Sequence, residues 1–178
     1  MEYLNVYDNN KNKLDKKIVR GDKLSNDEHI LVAVIFIKNK DNKYLIQKTS
    51  LEKSGLYSTT GGHVLYNEDS KTSIIREVKE ELGIDASVSD LHFVDKFVIN
   101  YKKEFYGKMF KDSEIAFVYV YTGSVDIDKL ILQKEELDRV DWFNLEYVYE
   151  ECKKHNQKFC APIDGLEIAR KYVCEYGI

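Results

Sequence analysis

Gly62-His63-Val64-Leu65-Tyr66-Asn67-Glu68-Asp69-Ser70-Lys71-Thr72-Ser73-Ile74-Ile75-Arg76-Glu77-Val78-Lys79-Glu80-Glu81-Leu82-Gly83-Ile84 reads as a loop running into a short helix that ends at a glycine. Asn67, Asp69 and Ser70 can each accept a first-turn N–H, and Thr72 to Leu82 contains neither Gly nor Pro. Gly83 is the residue type expected just past a helix end, where a left-handed backbone costs glycine nothing. At about 100° per residue, Ile74, Ile75, Val78 and Leu82 share one apolar stripe. Glu77, Glu80 and Glu81 gather on a neighbouring stripe roughly a third of a turn away. Like charges at these spacings cost an isolated helix about 0.3 kcal/mol per pair. A multivalent cation removes that cost. Mg²⁺ takes oxygen ligands and keeps several waters, so carboxylates beside open positions suit an ion that also holds phosphate oxygens. Arg76 is placed to orient a glutamate through two parallel hydrogen bonds, and Glu68 enters the same region from the loop.

The pattern Gly-x5-Glu-x7-Arg-Glu-U-x-Glu-Glu-x-Gly-U, with U aliphatic, is met at Gly62, Glu68, Arg76, Glu77, Val78, Glu80, Glu81, Gly83 and Ile84. A chance match in a chain of this size is on the order of one in a million. The chain thereby resembles the Nudix hydrolases. That resemblance implies an α/β (α+β) fold, the α/β/α sandwich with a mixed sheet, together with dependence on Mg²⁺ or Mn²⁺. It also implies hydrolysis of a (nucleoside) diphosphate linked to another moiety, by attack of water on phosphorus. Glu77, Glu80 and Glu81 are then expected as metal ligands, the Gly62 carbonyl as a further one, and Glu68 as a ligand or support of the cluster. Glu77 serves as general base in some family members and a glutamate from a later loop in others. Here Glu136, six residues before Trp142, is the leading later candidate, with Glu135 and Glu114 behind it.

His29, Leu45-Ile46-Gln47-Lys48, Lys53 and Gly61-Gly62-His63-Val64 resemble isopentenyl-diphosphate isomerases and the hydrolases most like them. Asp22 stands where that branch would carry another histidine, and Gly61 where the isomerases carry a cysteine that works on carbon. Without that cysteine the resemblance points to hydrolysis. A prenyl-diphosphate isomerase and a non-catalytic nucleotide-binding regulator remain the alternative classes. Lys48, Lys53, Arg76 and His63 are candidates to face the substrate's phosphates, with Arg76 read first as a support of the glutamates and a structural role for His63 an equal expectation. His29 reads as structural. Tyr57, Phe105, Tyr106 and Trp142 could stack a base, and Trp142 reads as core.

The rest of the chain sets bounds. Its 178 residues, 43% hydrophobic, suffice for one well-buried domain spanning 1–178. Net charge is −4 with lysines scattered among acids, which argues against nucleic acid as the main partner and for a small-molecule phosphoanhydride. The chain lacks a long apolar run and a charged-then-apolar leader, so the expectation is a cytoplasmic protein that meets no membrane. Family habit suggests a homodimer. Cys152, Cys160 and Cys174 lack disulfide or zinc spacing and read as reduced packing residues.

The N-terminal extension, 1–28, is expected to form a hairpin from Tyr3–Tyr7 and a second piece around Ile18 to Arg20. Strands are expected at His29 to Ile37, Tyr44 to Lys48, His63 to Tyr66, Glu114 to Tyr121 and around Arg139 to Phe143, with extended chain from Ala86 to Tyr101 before a loop through Tyr106-Gly107-Lys108. Helices are expected to close the chain across 145–178, at Leu145 to His155 and Ile163 to Tyr176.

Overall fold

The structure, a computed structural model, describes residues 1–105 and 108–176, with 101–105 and 108–112 described through their backbone alone. The loop expected through Tyr106 and Gly107, the ring of Tyr106 and the side chain of Phe105 lie outside the described residues.

The eight-residue run Ile-Leu-Val-Ala-Val-Ile-Phe-Ile forms β3 (Ile30–Ile37). Alternation sends Leu31, Ala33, Ile35 and Ile37 to one apolar cluster and Phe36 to another, so both faces of the strand are buried. β3 is central in a four-stranded sheet. It pairs in parallel with β8 (Lys108–Tyr121) and antiparallel with β6 (Thr60–His63), while β7 (Leu91–Phe105) lies antiparallel on the far side of β8. A second sheet runs β5 (Tyr57–Ser58), β4 (Lys43–Thr49), β9 (Leu137–Asn144), all antiparallel. The N-terminal hairpin of β1 (Tyr3–Tyr7) and β2 (Lys13–Val19) packs Leu4, Val6 and Ile18 around Ile30.

Helix α1 (Ser70–Leu82) covers one face, with Ile74, Val78 and Leu82 fully buried against β3. Of the three capping candidates it is Asp69 whose carboxylate accepts the N–H of Thr72 at 2.7 Å. Gly83 ends the helix at φ 72°. The other face is covered by α2 (Leu145–Lys153), begun by Asn144 accepting the N–H of Tyr147, and by α3 (Ile163–Tyr176). Val148, Leu166 and Ala169 pack there on Phe36, Val118 and Val120. The result is the expected layering of helix, mixed sheet and helix.

Three expectations shift. The strand near the glycine pair is Thr60–His63 rather than His63 to Tyr66, because Gly61 and Gly62 are themselves strand residues opposite Val34 and Ala33. A Cβ at Gly61 would lie 2.3 Å from the Ala33 carbonyl oxygen, so the close approach expected of these glycines occurs inside the ladder. β2 begins at Lys13, well before Ile18, since its pairing with β1 and not its apolar content sets its length. Trp142 is only partly buried at the edge of the first cluster.

Candidate active site

The three helix glutamates differ sharply once α1 is packed. Glu81 is 2% exposed, Glu77 is largely buried and Glu80 is 53% exposed in its side chain. One turn of helix thus presents a carboxylate to the interior, one to the backbone of Gly62 and one to solvent.

Glu81 Oε2 is buried without a hydrogen-bond partner. Burial pushes this carboxyl up to about 7; Lys53 and Gln47 oppose the shift, and Glu77 and Glu136 add to it. Gln47 is a residue that the sequence pattern passed over. It occupies a buried position on β4, accepts a hydrogen bond from Thr60 Oγ1 at 2.8 Å and turns toward Glu81. Its signal was a polar residue on the strand face that Leu45 makes apolar.

Glu77 lies against the backbone of Gly62. A Cβ at position 62 would stand 2.3 Å from the Glu77 carboxyl carbon. Gly62→Ala is therefore expected to displace Glu77 and cut turnover by about 10²-fold, the scale of losing one positioned electrostatic group. Thermal melting should fall far less, because the clash is with a side chain that can rotate. Unchanged turnover in that variant would show that the Glu77 position is irrelevant. Burial raises the Glu77 carboxyl above its usual range, Arg76 opposes this, and Glu80 and Glu136 add to it.

Arg76 is the hub. Nε and Nη2 donate to the two oxygens of Glu68 at 2.9 and 3.1 Å, the two-pronged contact foreseen for this arginine. Nη1 donates to Glu77 at 2.8 Å and to Glu80 at 3.0 Å, and Nη2 reaches the His63 carbonyl oxygen at 3.2 Å. Partial burial works against the guanidinium's charge, but its bonds to Glu68 and Glu77 outweigh it and hold it more firmly protonated than usual. Glu68 also accepts the Leu65 N–H, so it braces both the loop and Arg76.

Glu136 arrives from 55 residues downstream of Glu81 by a backbone route: Ile131 N–H donates to the Leu82 carbonyl and Gln133 N–H to that of Glu81. The segment before β9 is thus pinned across the end of α1, close enough for Glu136 to act electrostatically on both Glu77 and Glu81. Glu135, by contrast, contributes its backbone carbonyl to Ser50 Oγ. His63 faces Glu114, with Nε2 3.3 Å from Oε1, both largely buried. His29 is structural, bonded to Ser113 Oγ and Asn9 Oδ1. Lys48 is not brought to the carboxylates. Strand alternation turns it to the face of β4 opposite Gln47, where its ammonium lies 3.4 Å from Asp138. Tyr57 instead packs between Phe143 and Phe159 and bonds to Asp141 and Arg139.

The NUDIX domain profile matches residues 28–161, three quarters of the chain and all of this site. The chain belongs to the Nudix family. The match is supported by an uncharacterized Nudix hydrolase of Listeria innocua, 31% identical over 144 residues that cover 78% of this chain and 83% of that one. The m7GpppN-mRNA hydrolase of Saccharomyces cerevisiae is 28% identical over 129 residues, 71% of this chain but 12% of the yeast protein. Among solved structures, DR0079 from Deinococcus radiodurans aligns with a TM-score of 0.71 at 17% identity, covering 96% of this chain and 99% of that one. A MutT protein from Methanosarcina mazei Go1 aligns at 0.61 and 21%, covering 83% and 94%. At those identities the two structures establish the Nudix fold. This Nudix protein is a hydrolase acting on pyrophosphate bonds. Among its described residues no helix is long and apolar enough to cross a membrane.

A divalent cation suits this Nudix site by donor chemistry. The candidate ligands are all oxygens, and Glu81 offers one that nothing else satisfies. As placed, no three His, Cys, Asp or Glu side chains among the described residues converge to hold an ion. The reason is local: Arg76 draws Glu77 and Glu80 to itself, and Lys53 draws Glu136.

Proposed function

We propose that this Nudix hydrolase is a Mg²⁺- or Mn²⁺-dependent pyrophosphohydrolase that cleaves a diphosphate linked to another moiety, with water attacking one phosphorus. The observation that carries the reading is the buried, unpartnered Glu81 oxygen beside Glu77 and Glu136. An isolated buried carboxylate is costly, and a cation is what relieves it. A bound divalent ion would supply charge neutralisation of the phosphate oxygens and acidify water.

The chain's own residues do the rest. Glu77, Glu80 and Glu81, with the Gly62 carbonyl, are the proposed ligand set. Glu68 acts through Arg76, which sets the orientation of Glu77. Glu136 is the proposed general base: its side chain is 39% exposed, so it can reach solvent water, and its own Lys53 partner is displaceable. His63, paired with Glu114, is the proposed donor to the substrate's phosphates. Position 61 carries no side chain and has no room for one, so the acid that carbon isomerisation needs cannot come from there. That favours hydrolysis over the isomerase alternative.

A panel of nucleoside triphosphates, nucleotide sugars, dinucleoside polyphosphates and isopentenyl diphosphate, assayed with each metal in ¹⁸O-water, tests the proposal. Phosphate-bearing products that carry the label and require metal are expected. Turnover in EDTA, or a double-bond isomer as the sole product, would overturn it. Glu136→Gln should lower kcat by about 10²-fold with little change in melting temperature, as befits a half-exposed general base. Equal kcat would remove Glu136 from the mechanism.

A further inference from the structure

The loop joining β4 to β5 is closed at its base. Ser50 N–H donates to the Glu136 carbonyl at 2.7 Å, and Ser50 O receives the N–H groups of Lys53, Ser54 and Gly55 at 3.1, 3.0 and 2.8 Å. Gly55 completes the turn at φ 67°. This anchoring brings the Lys53 ammonium 2.6 Å from Glu136 Oε2 and 4.0 Å from Glu81 Oε1. A single positive charge therefore stands between a carboxylate from the end of α1 and one from the segment before β9.

We propose that Lys53 is a tethered counter-ion of the carboxylate site, holding the place beside Glu81 that a divalent cation would take and yielding to that cation when it binds. This rests on reading the carboxylates as a divalent-cation site. Lys53 satisfies Glu136 directly but leaves Glu81 Oε2 without a partner, as one charge on a long stem cannot serve both groups. A divalent ion held by Glu81 would supply twice the charge and several coordination positions, and would leave Glu136 free to face water. Displacement is cheap because the Lys53 side chain is 46% exposed and its ammonium returns to water, while the loop backbone stays held by Ser50. The freed ammonium remains at the rim of the site, available to a phosphate oxygen only after the cation has entered. Lys53 is thus a positioning residue of the carboxylate site.

Titration of the purified full chain with Mn²⁺, following free ion by electron paramagnetic resonance, tests this without turnover. Lys53→Met should bind Mn²⁺ about three- to ten-fold more tightly than the wild type, the scale of one exposed charge pair, and Lys53→Arg should keep the wild-type affinity. Raising salt should narrow the difference, since the competing charge is solvent-accessible. Equal or weaker Mn²⁺ binding by Lys53→Met overturns the counter-ion role while leaving the metal site standing. Failure of all three chains to bind Mn²⁺ overturns the metal-site reading and the counter-ion with it.

Discussion

Glu81→Gln is expected to cripple hydrolysis and, in EDTA, to raise the melting temperature. The carboxyl is 2% exposed, has an oxygen with no partner and lies near two further carboxylates. Its pKa in the folded chain, raised from 4.5 to about 7, means that the folded state holds a proton more tightly than the unfolded state does. Stability of the metal-free protein should therefore fall as pH rises from about 4.5 to about 7 and level off above. The full shift corresponds to about 3 kcal/mol at most. Glutamine is neutral but still polar and buried, so a gain of about 1–2 kcal/mol above pH 7 is the expectation. Activity should drop on the order of 10²–10³-fold or more, since one positioned charge is removed from the cation's surroundings. Mg²⁺ should stabilise the wild type and leave the variant nearly unmoved. A variant less stable than wild type in EDTA at pH 8 would mean that Glu81 is a satisfied structural acid.

Arg76→Ala should have the opposite effect on stability. The guanidinium bonds to Glu68 through two nitrogens, to Glu77 and Glu80 through the third, and also to the His63 carbonyl. Its loss leaves three carboxylates facing one another without a counter-charge and unties the loop from α1. Removing one partner from a partly buried ionic network costs about 3 kcal/mol. A urea unfolding midpoint lowered accordingly is expected, with partial recovery at high salt as the repulsion is screened. Arg76→Lys should recover little, because a single ammonium cannot make the paired contact with Glu68 and still reach Glu77. If the lysine variant matched wild type in both midpoint and turnover, the fork geometry would be irrelevant to this site.

These two residues also mark where local reasoning stops. The run from Asp69 to Gly83 contains its own start, stop and apolar stripe, so α1 could be read from 15 consecutive residues, and cap and terminus stand where those signals put them. The periodicity placed Glu77, Glu80 and Glu81 together, yet an isolated helix cannot say which of three adjacent carboxylates will be enclosed. That depends on where β4 and the strand of Gly61 and Gly62 come to rest. Lys48 illustrates the same limit: a lysine on a strand near the site is useful only if alternation points it inward, and here Gln47 holds that place.

The sequence by itself determined the helix, its caps, the buried central strand, the closing helix from Ile163 to Tyr176 and the family to which the chain belongs. All of these depend on contacts or patterns within a few turns of chain. Only the tertiary structure decided that Glu81 is the enclosed carboxylate, that Glu136 joins it and that Lys53 lies between them. Those outcomes turn on backbone hydrogen bonds from Ile131 and Gln133 to the last turn of α1, and from Ser50 to Glu136. Such bonds join segments far apart in the chain through groups that every residue carries, and so leave no mark on residue type.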